Sequence, residues 1–348
     1  MHDMNERVTK AIAQHLGKST SKAEFKPAPA TIKTEDIVLA DGQKMFSEVF
    51  GYVPDSGDYA VSVLRTPEDA EVARLIPTID TDYVVQKNEA ALLVAGIEDG
   101  DKTLVTGPTG SGKSSLVKYV CAKLNRPFIR VNMSGDVESA ALFGTLVVRG
   151  GATVWEDGAI TEAAKYGAVC LVDEWELMPA EIAMGMQNLL EDGGYLYLKE
   201  KPGNSEARTV VPDENFRLVF AGNTVGQGDT SGAFSGVGVQ NTATIDRFTN
   251  TVKLNYLSME HEISIITSKT GVDKPTAKRM VSLATFIRNA YDSGKLGLTM
   301  SPRTLINWGR KTKRYSLHSA FNVAFAEKLT NEDANSVEEL YTKVFGKE

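Results

Sequence analysis

The chain has 348 residues, 42% of them hydrophobic, and a formal net charge of −7 at pH 7. This length allows a sizeable core and two or three domains. No apolar run approaches the roughly 20 residues that a membrane span needs, and the N-terminus lacks the apolar stretch of a signal peptide, so we expect a cytoplasmic protein with no membrane partner. The negative net charge argues against broad, nonspecific attraction to the phosphate backbone of nucleic acid.

Cysteines and histidines are few. Cys121 and Cys170 stand in apolar surroundings, so we expect two small buried side chains rather than a disulfide or a metal site. The four histidines are scattered without the spacing of a metal-ligand set. The densest basic cluster, residues 310–314, would spread over much of a helix circumference, which favours a solvated face over a nucleic-acid site.

The first 80 residues carry weak patterns. Val8, Ile12 and Leu16 recur at helical spacing, and the stretch that follows is rich in Ser, Thr, Lys, Ala and Pro. We therefore predict a short helix and a flexible tether in residues 1–35. The mixed pattern of residues 36–80 favours a small accessory region, whose fold the sequence does not reveal.

Short apolar stretches alternate with helical patterns from residue 81 to residue 255. The predicted strands are residues 104–106, 128–131, 168–172 and 216–221. This alternation predicts an α/β core in which a parallel sheet is flanked by helices on both faces. In residues 256–348 only helical periodicity continues, which predicts a separate, small, all-helical domain.

Two hairpins are expected within the α/β core. Adjacent glycines, Gly150 and Gly151, supply the positive φ angles of a tight turn, so we predict a hairpin within about residues 138–158. A second hairpin is predicted at about residues 195–211, ahead of the last predicted strand of the sheet.

A glycine-rich run, GPTGSGKS, stands between the first predicted strand of the core and a helical pattern. In such a run successive backbone N–H groups point at the β- and γ-phosphates of a nucleotide, and the start of the helix adds a partial positive charge. Lys113 would reach the β- and γ-phosphate oxygens, and Ser114 would bind Mg2+. The predicted nucleotide-binding residues are Gly107, Pro108, Thr109, Gly110, Ser111, Gly112, Lys113, Ser114 and Ser115.

A carboxylate pair ends the run AVCLVDE, about 60 residues after the phosphate loop. Asp173 would hold Mg2+ through its water shell, and Glu174 would orient and polarise the attacking water. The alternative is a strand-end carboxylate pair that faces solvent. The spacing from the phosphate loop favours the catalytic interpretation.

Three later polar residues complete the predicted site. Asn223 follows the last predicted strand and could bridge the attacking water and the γ-phosphate, or simply cap a turn. Arg247 follows a helical stretch and Arg303 begins a helix, and either could instead pair with a surface carboxylate. Hydrolysis needs cations at the γ-phosphate beyond Lys113 and Mg2+. We favour Arg247 for that role, supplied by a neighbouring subunit.

The order of these motifs, GPTGSGKS, VDE, AGNT, IDRF and SPR followed by helices, resembles the AAA+ ATPases and, within them, the MoxR-related group. Longer strings over about residues 75–348 resemble the CobS family, the ATPase subunits of aerobic cobaltochelatases, whose relatives also occur in bacteriophages. These strings are NTVGQGDTSG (223–232), LNYLSMEHE (254–262), MSPRTLINW (300–308) and the terminal FGKE.

The resemblance carries specific implications. It implies that the phosphate loop binds ATP and Mg2+, with Asp173 and Glu174 as metal and water residues and Asn223 as the first sensor of hydrolysis. It also implies that Arg247 acts in a neighbouring subunit and that Arg303 is a second sensor on a helical lid. A hexameric ring is implied, as are a partner with a von Willebrand type A domain and, in the chelatase, a large tetrapyrrole-binding subunit. The two hairpins would line the pore or face the partner.

Three functions follow from these patterns. The first is the motor subunit of a cobaltochelatase-like complex, or a relative that remodels another partner. The second is an AAA+ motor on nucleic acid or nucleoprotein, helicase-like or restriction-system-like, against which stand the acidic charge and the lack of a recognisable nucleic-acid module. The third is a nucleotide switch without catalysis, against which stand Glu174 and Arg247. We favour the first.

Overall fold

The computed structural model describes residues 39–226 and 241–346. The predicted helix and tether of residues 1–35 lie outside the described residues, as does part of the NTVGQGDTSG string. The strands are β1 Gln43–Met45, β2 Ala60–Ser62, β3 Thr103–Thr106, β4 Phe128–Asn132, β5 Gly144–Arg149, β6 Ala152–Asp157, β7 Val169–Asp173, β8 Leu196–Tyr197, β9 Thr209–Val210, β10 Arg217–Gly222 and β11 Asn250–Lys253.

The helices fall into those of the α/β part and those of the C-terminal part. The first set is α1 Phe46–Phe50, α2 Ala70–Ala73, α3 Lys87–Asp99, α4 Lys113–Lys123, α5 Ser139–Phe143, α6 Ala159–Lys165, α7 Ala180–Met186, α8 Ser205–Arg208 and α9 Thr242–Ile245. The second set is α10 Met259–Thr270, α11 Lys274–Asp292, α12 Pro302–Lys311, α13 Leu317–Ala324 and α14 Asn331–Phe345.

Five strands form one parallel sheet in the order β11, β3, β10, β7, β4. β3 and β7 are buried along their whole length, as expected for strands covered on both faces. One apolar cluster, with α6 and α7, covers one face of the sheet, and a second cluster, with α3 and α4, covers the other. The predicted α/β class is therefore confirmed. The carboxyl ends of all five strands meet at one edge.

The region before α3 packs into the core of the α/β part. β1 and β2 form an antiparallel pair, and Phe46, Phe50 and Val61 belong to the same buried cluster as α3 and α4. Phe46 is fully buried and stacks on Phe50 with ring centroids 4.4 Å apart. This segment therefore packs against the α/β core rather than forming a core of its own.

The C-terminal helices, which we call the lid, enclose a separate apolar cluster around the fully buried Trp308. Each helix begins at a residue whose side chain accepts a hydrogen bond from the first turn, the usual chemistry of a helix N-cap. These caps are Ser258, Asp273, Ser301, Ser316 and Thr330. The predicted helical character of this part is confirmed.

Two hairpins extend from the α/β part. β5 and β6 pair antiparallel along six residues each and turn at Gly150 and Gly151, whose φ angles are +58° and +80°. Both glycines thus adopt the positive φ of a type I′ turn. β8 and β9 form a shorter ladder of two residues each. In the described residues no helix is long and apolar enough to span a bilayer.

Candidate functional site

The phosphate loop joins the carboxyl end of β3 to the start of α4. Gly107, Gly110 and Gly112 all have positive φ, so the loop curls in a way that side chains with a Cβ disfavour. Gly107 also lies so close to β11 that an added Cβ would stand 2.4 Å from the Leu254 carbonyl oxygen. The sequence folds into this loop because glycine occupies the positions where other residues would be strained or would clash.

Lys113 is the first residue of α4 and reaches back across the loop. Its Nζ donates to the Gly107 carbonyl and to Asn223 Oδ1, both at 2.8 Å. Burial lowers the pKa of Lys113 and the charge of Arg303 adds to this effect, whereas Glu174 and the neighbouring carboxylates oppose it. The structure therefore brings the predicted lysine and the predicted sensor asparagine into direct contact.

Asp173 is buried at the end of β7, where two groups approach the same carboxylate oxygen. Ser114 Oγ donates to Asp173 Oδ2 at 2.5 Å, and the Arg130 guanidinium lies 2.6 Å from that atom. A hydroxyl and a carboxylate are hard oxygen donors of the kind Mg2+ prefers, in combination with substrate phosphates. The pair fits a Mg2+ site completed by a nucleotide. The described residues hold no cluster of three or more His, Cys, Asp or Glu arranged to bind a metal.

Glu174 follows Asp173 and has a φ of +56°, a left-handed conformation that is unusual for a residue with a side chain. Burial raises the pKa of its carboxyl, and the negative charges of Asp173 and Glu176 raise it further, while Lys113 and Arg130 act in the opposite direction. A carboxylate with a raised pKa is a stronger base than an ordinary glutamate, which suits proton transfer from water.

Asn223 comes directly after β10, the strand between β3 and β7. Its Oδ1 lies 3.5 Å from the Thr109 hydroxyl as well as close to Lys113. The next residue, Thr224, is fixed by Glu176, whose Oε1 accepts from the Thr224 amide at 2.6 Å. Parallel strand order explains this convergence, because β3, β10 and β7 are neighbours and end at the same edge.

The two predicted arginines lie in different surroundings. Arg303 is exposed in the first turn of α12, close enough to Lys113 to affect its pKa. Arg247 donates to Glu191 Oε1 and to the Ala243 carbonyl, each at 2.6 Å, within the same chain. The structure thus places the start of α12, at Ser301 and Pro302, against Gly110 of the phosphate loop, with Arg303 one residue further on, and it places Arg247 against Glu191. Ser115 is exposed on α4 next to Ser114.

Two further residues of this site were not identified from the sequence. Arg130 lies in β4, and Glu176 lies two residues after Glu174 with 2% of its surface exposed. Arg130 meets Asp173 only through the register of β4 against β7, which no local pattern encodes. Glu176 could have been noticed in the sequence, because an acidic residue between the apolar residues Trp175 and Leu177 is unusual.

Comparisons with known proteins identify the family to which these motifs belong. Residues 102–248 match a family described as the AAA domain of the dynein-related subfamily, and residues 262–344 match the C-terminal domain of CbbQ, NirQ and NorQ. The chain is 32% identical over 318 residues to the aerobic cobaltochelatase subunit CobS of Sinorhizobium sp., covering 88% of this chain and 92% of that protein.

Two other relatives extend this pattern. Protein NorQ of Paracoccus denitrificans is 27% identical over 273 residues, covering 76% of this chain and 94% of NorQ. The mouse protein named von Willebrand factor A domain-containing protein 8 is 23% identical over 319 residues, covering 88% of this chain and 16% of the much longer mouse protein.

Proposed function

Because the chain belongs to the AAA+ ATPases of the MoxR-like group that include CobS and NorQ, we propose that it hydrolyses ATP with Mg2+ and, as a hexameric ring, uses this reaction to remodel a partner protein. The observation that carries the proposal is the set of contacts at one sheet edge. Lys113 contacts Asn223, Ser114 contacts Asp173, and Glu174 follows directly. These are the groups needed for phosphate binding, metal binding and water activation.

In the proposed reaction the loop amides and the Lys113 ammonium bind the β- and γ-phosphates. Glu174 accepts a proton from water as the water oxygen bonds to the γ-phosphorus, and the bond from that phosphorus to the β–γ bridging oxygen breaks, giving ADP and phosphate. Asn223, which Lys113 holds at 2.8 Å, orients the attacking water. Ser114 and Asp173 would hold Mg2+, which would supply positive charge to the phosphate oxygens.

The partner in this proposal carries a von Willebrand type A domain. Two relatives support it: one is named as a cobaltochelatase subunit, and another is named for a von Willebrand A domain within the same polypeptide. The β5–β6 hairpin supports it as well, because Leu146, Val148 and Val154 expose apolar surface there. In a cobaltochelatase-type complex a large tetrapyrrole-binding subunit would join the assembly.

The catalytic part of the proposal is tested with purified wild-type protein and Lys113→Ala. Wild type should hydrolyse ATP in the presence of Mg2+, and Lys113→Ala should lose ATP binding, because the ammonium that crosses the phosphate loop is removed. Lys118→Ala, an exposed lysine of the same helix, is the matched control and should behave as wild type. Normal ATP affinity in Lys113→Ala would contradict the assignment.

The partner is tested by affinity capture from the native host with Glu174→Gln and ATP, a variant expected to bind ATP without turning it over. Glu174→Gln combined with Lys113→Ala is the control, since it lacks the nucleotide-bound state. Capture of a protein with a von Willebrand A domain by the single variant alone supports the proposal. Capture of nucleic acid or replication proteins instead would contradict the proposed partner and favour the alternative function, a motor that acts on nucleic acid or nucleoprotein.

A further inference from the structure

Tyr256, in the segment between β11 and α10, joins the phosphate loop to the lid. Its hydroxyl donates to the Thr109 carbonyl oxygen at 3.2 Å. The face of its ring lies against Arg288 of α11, with the guanidinium carbon 4.0 Å from the ring centroid. One side chain thus contacts the loop with its polar end and a lid helix with its aromatic face.

Arg288 has a fixed position in the lid. It forms a buried ion pair with Glu262 of α10 at 3.0 Å, and its Nε donates to the Met300 carbonyl at 2.8 Å. Movement of Arg288 out of this ion pair would leave a charge without a partner away from water, which is costly. Tyr256 therefore rests on an arginine that contacts two further lid segments, Glu262 of α10 and Met300 before α12.

Arg288, through its hydrogen bond to Met300, also helps to place the start of α12 against the phosphate loop. Met300 precedes the helix cap Ser301, and Ser301 lies so near the loop that a Cβ added to Gly110 would stand 2.6 Å from the Ser301 Cβ. Arg303 follows two residues later. The Thr109–Gly110 peptide is thus held from the lid by a hydrogen bond at its carbonyl and by packing at Gly110.

The direction of that peptide matters for phosphate binding. In a trans peptide the C=O and the following N–H point in opposite directions, so a hydrogen bond that fixes the Thr109 carbonyl also fixes the Gly110 N–H. The Tyr256 hydroxyl, like that of any tyrosine, is protonated at neutral pH and able to donate, and burial raises its pKa further. The lid therefore sets the orientation of one of the loop amides.

We propose that Tyr256 is a positioning residue that ties the phosphate loop to the lid, so that the affinity for ATP depends on the lid's position. The inference rests on the proposed ATP hydrolysis. Tyr256 lies in the LNYLSMEHE segment, which resembles the CobS family but whose sequence pattern indicated no function. The proposal gives this segment a role. Tyr256 acts through the loop backbone and touches no reacting atom.

The test is Tyr256→Phe, which removes the hydroxyl and keeps the ring against Arg288. Loss of the hydroxyl's hydrogen bond to the Thr109 carbonyl, together with its hydrogen bond to the Thr299 side chain, predicts a KM for ATP raised about 3- to 10-fold. We expect kcat to change much less, and the thermal unfolding midpoint without nucleotide to stay at the wild-type value. With a non-hydrolysable ATP analogue bound, amide hydrogen exchange at Gly110 should become faster, because the N–H is then less well aligned with the phosphate. Tyr315→Phe, at an exposed lid tyrosine, is the matched control and should change none of these quantities.

The outcomes separate the two proposals. No ATP hydrolysis by the wild-type protein would remove the proposed function itself. An active wild type with an unchanged KM and unchanged Gly110 exchange in Tyr256→Phe would overturn the role of Tyr256. A raised KM accompanied by a lower unfolding midpoint would also overturn it, because the residue would then be only structural.

Discussion

Glu174 has the most unusual setting of any side chain at the candidate site. Its left-handed backbone is sparsely populated for residues with a Cβ, and such strain persists only where the surrounding fold enforces it. β7 fixes Asp173 on one side, and the turn that begins at Trp175 fixes the other. Burial also raises the pKa of this residue's carboxyl, and strained backbone together with a perturbed pKa is typical of a catalytic position.

Replacing this carboxylate tests that role. Glu174→Gln keeps the size of the side chain but cannot accept a proton, so we expect kcat for ATP hydrolysis to fall about 100-fold or more. ATP affinity should remain within a small factor of wild type, because Lys113 and the loop are untouched. Single-turnover hydrolysis and fluorescent-nucleotide binding measure the two effects. Unchanged turnover would mean that the base lies elsewhere.

Glu176 packs against the end of β10, the strand that Asn223 directly follows. Its carboxylate accepts from the Thr224 amide, and a Cβ added to Gly222 would lie 2.4 Å from the Glu176 carboxyl carbon. Glu176→Ala leaves that partly buried amide without its acceptor, so we expect kcat to fall on the order of 10-fold through misplacement of Asn223. Glu176→Gln retains an acceptor oxygen and should lie closer to wild type. Equal losses in the two variants would point to charge rather than positioning.

Residues that follow a strand could be predicted from the sequence, and residues that meet across strands could not. Asp173 and Asn223 each stand at the end of an apolar stretch, and Lys113 ends the loop that follows another, so their convergence follows from the rule that parallel strands end at one edge. Arg130 reaches Asp173 only through strand register, which depends on contacts far apart in sequence. Site roles remain predictions that the variants above test.

At the scale of elements, α3 packs unusually close to the sheet. Gly96 of this helix faces β3 and β11, and a Cβ there would lie 2.2 Å from Asn250 Nδ2 and 2.8 Å from Thr103 Oγ1. Asn250 in turn donates to the Leu92 carbonyl of α3 at 3.0 Å. Because Gly96 has no side chain, the helix lies close enough to the edge strand β11 for Asn250 to donate this hydrogen bond to Leu92.

Gly96→Ala is expected to destabilise the protein by about 1–2 kcal/mol, because overpacking outweighs the gain of about 1 kcal/mol in helix propensity. Urea unfolding measures the change. Asn250→Ala alone should also destabilise, through the lost hydrogen bond to Leu92. The double variant should be destabilised by less than the sum of the two single-variant costs, since the nearer of the two clashing atoms, Asn250 Nδ2, is gone. Strict additivity would show that the contact is not the cause.

Elements with local signals could be recognised from the sequence, and those that depend on distant partners could not. Each lid helix begins at a Ser, Thr or Asp cap that is visible in the sequence. Residues 36–80 gave a weak pattern because their apolar side chains, such as Phe46 and Val61, are buried in one cluster with side chains of α3 and α4, which lie further along the chain. That surface exists only after the α/β core has formed.

At the scale of the whole molecule, Arg247 is the residue that would couple one subunit to the next. Within the chain it pairs with Glu191 at 2.6 Å, with a quarter of the arginine side chain and about half of the glutamate side chain exposed. A partly exposed ion pair contributes little stability, so exchange of Glu191 for a phosphate on a neighbouring subunit is energetically accessible. We therefore retain Arg247 as the proposed cation supplied between subunits.

Mixing two inactive variants tests this arrangement. Arg247→Ala should bind ATP and hydrolyse it at least about 100-fold more slowly, and Lys113→Ala should not bind it. In mixed rings an Arg247→Ala subunit has an intact phosphate loop, and a Lys113→Ala neighbour supplies the arginine. Equal, random mixing makes about one site in four complete, so turnover should recover to about a quarter of wild type. Arg310→Ala, an exposed lid arginine, should be active alone. No recovery at any mixing ratio would place the role of Arg247 within its own subunit, where its contact with Glu191 already positions it.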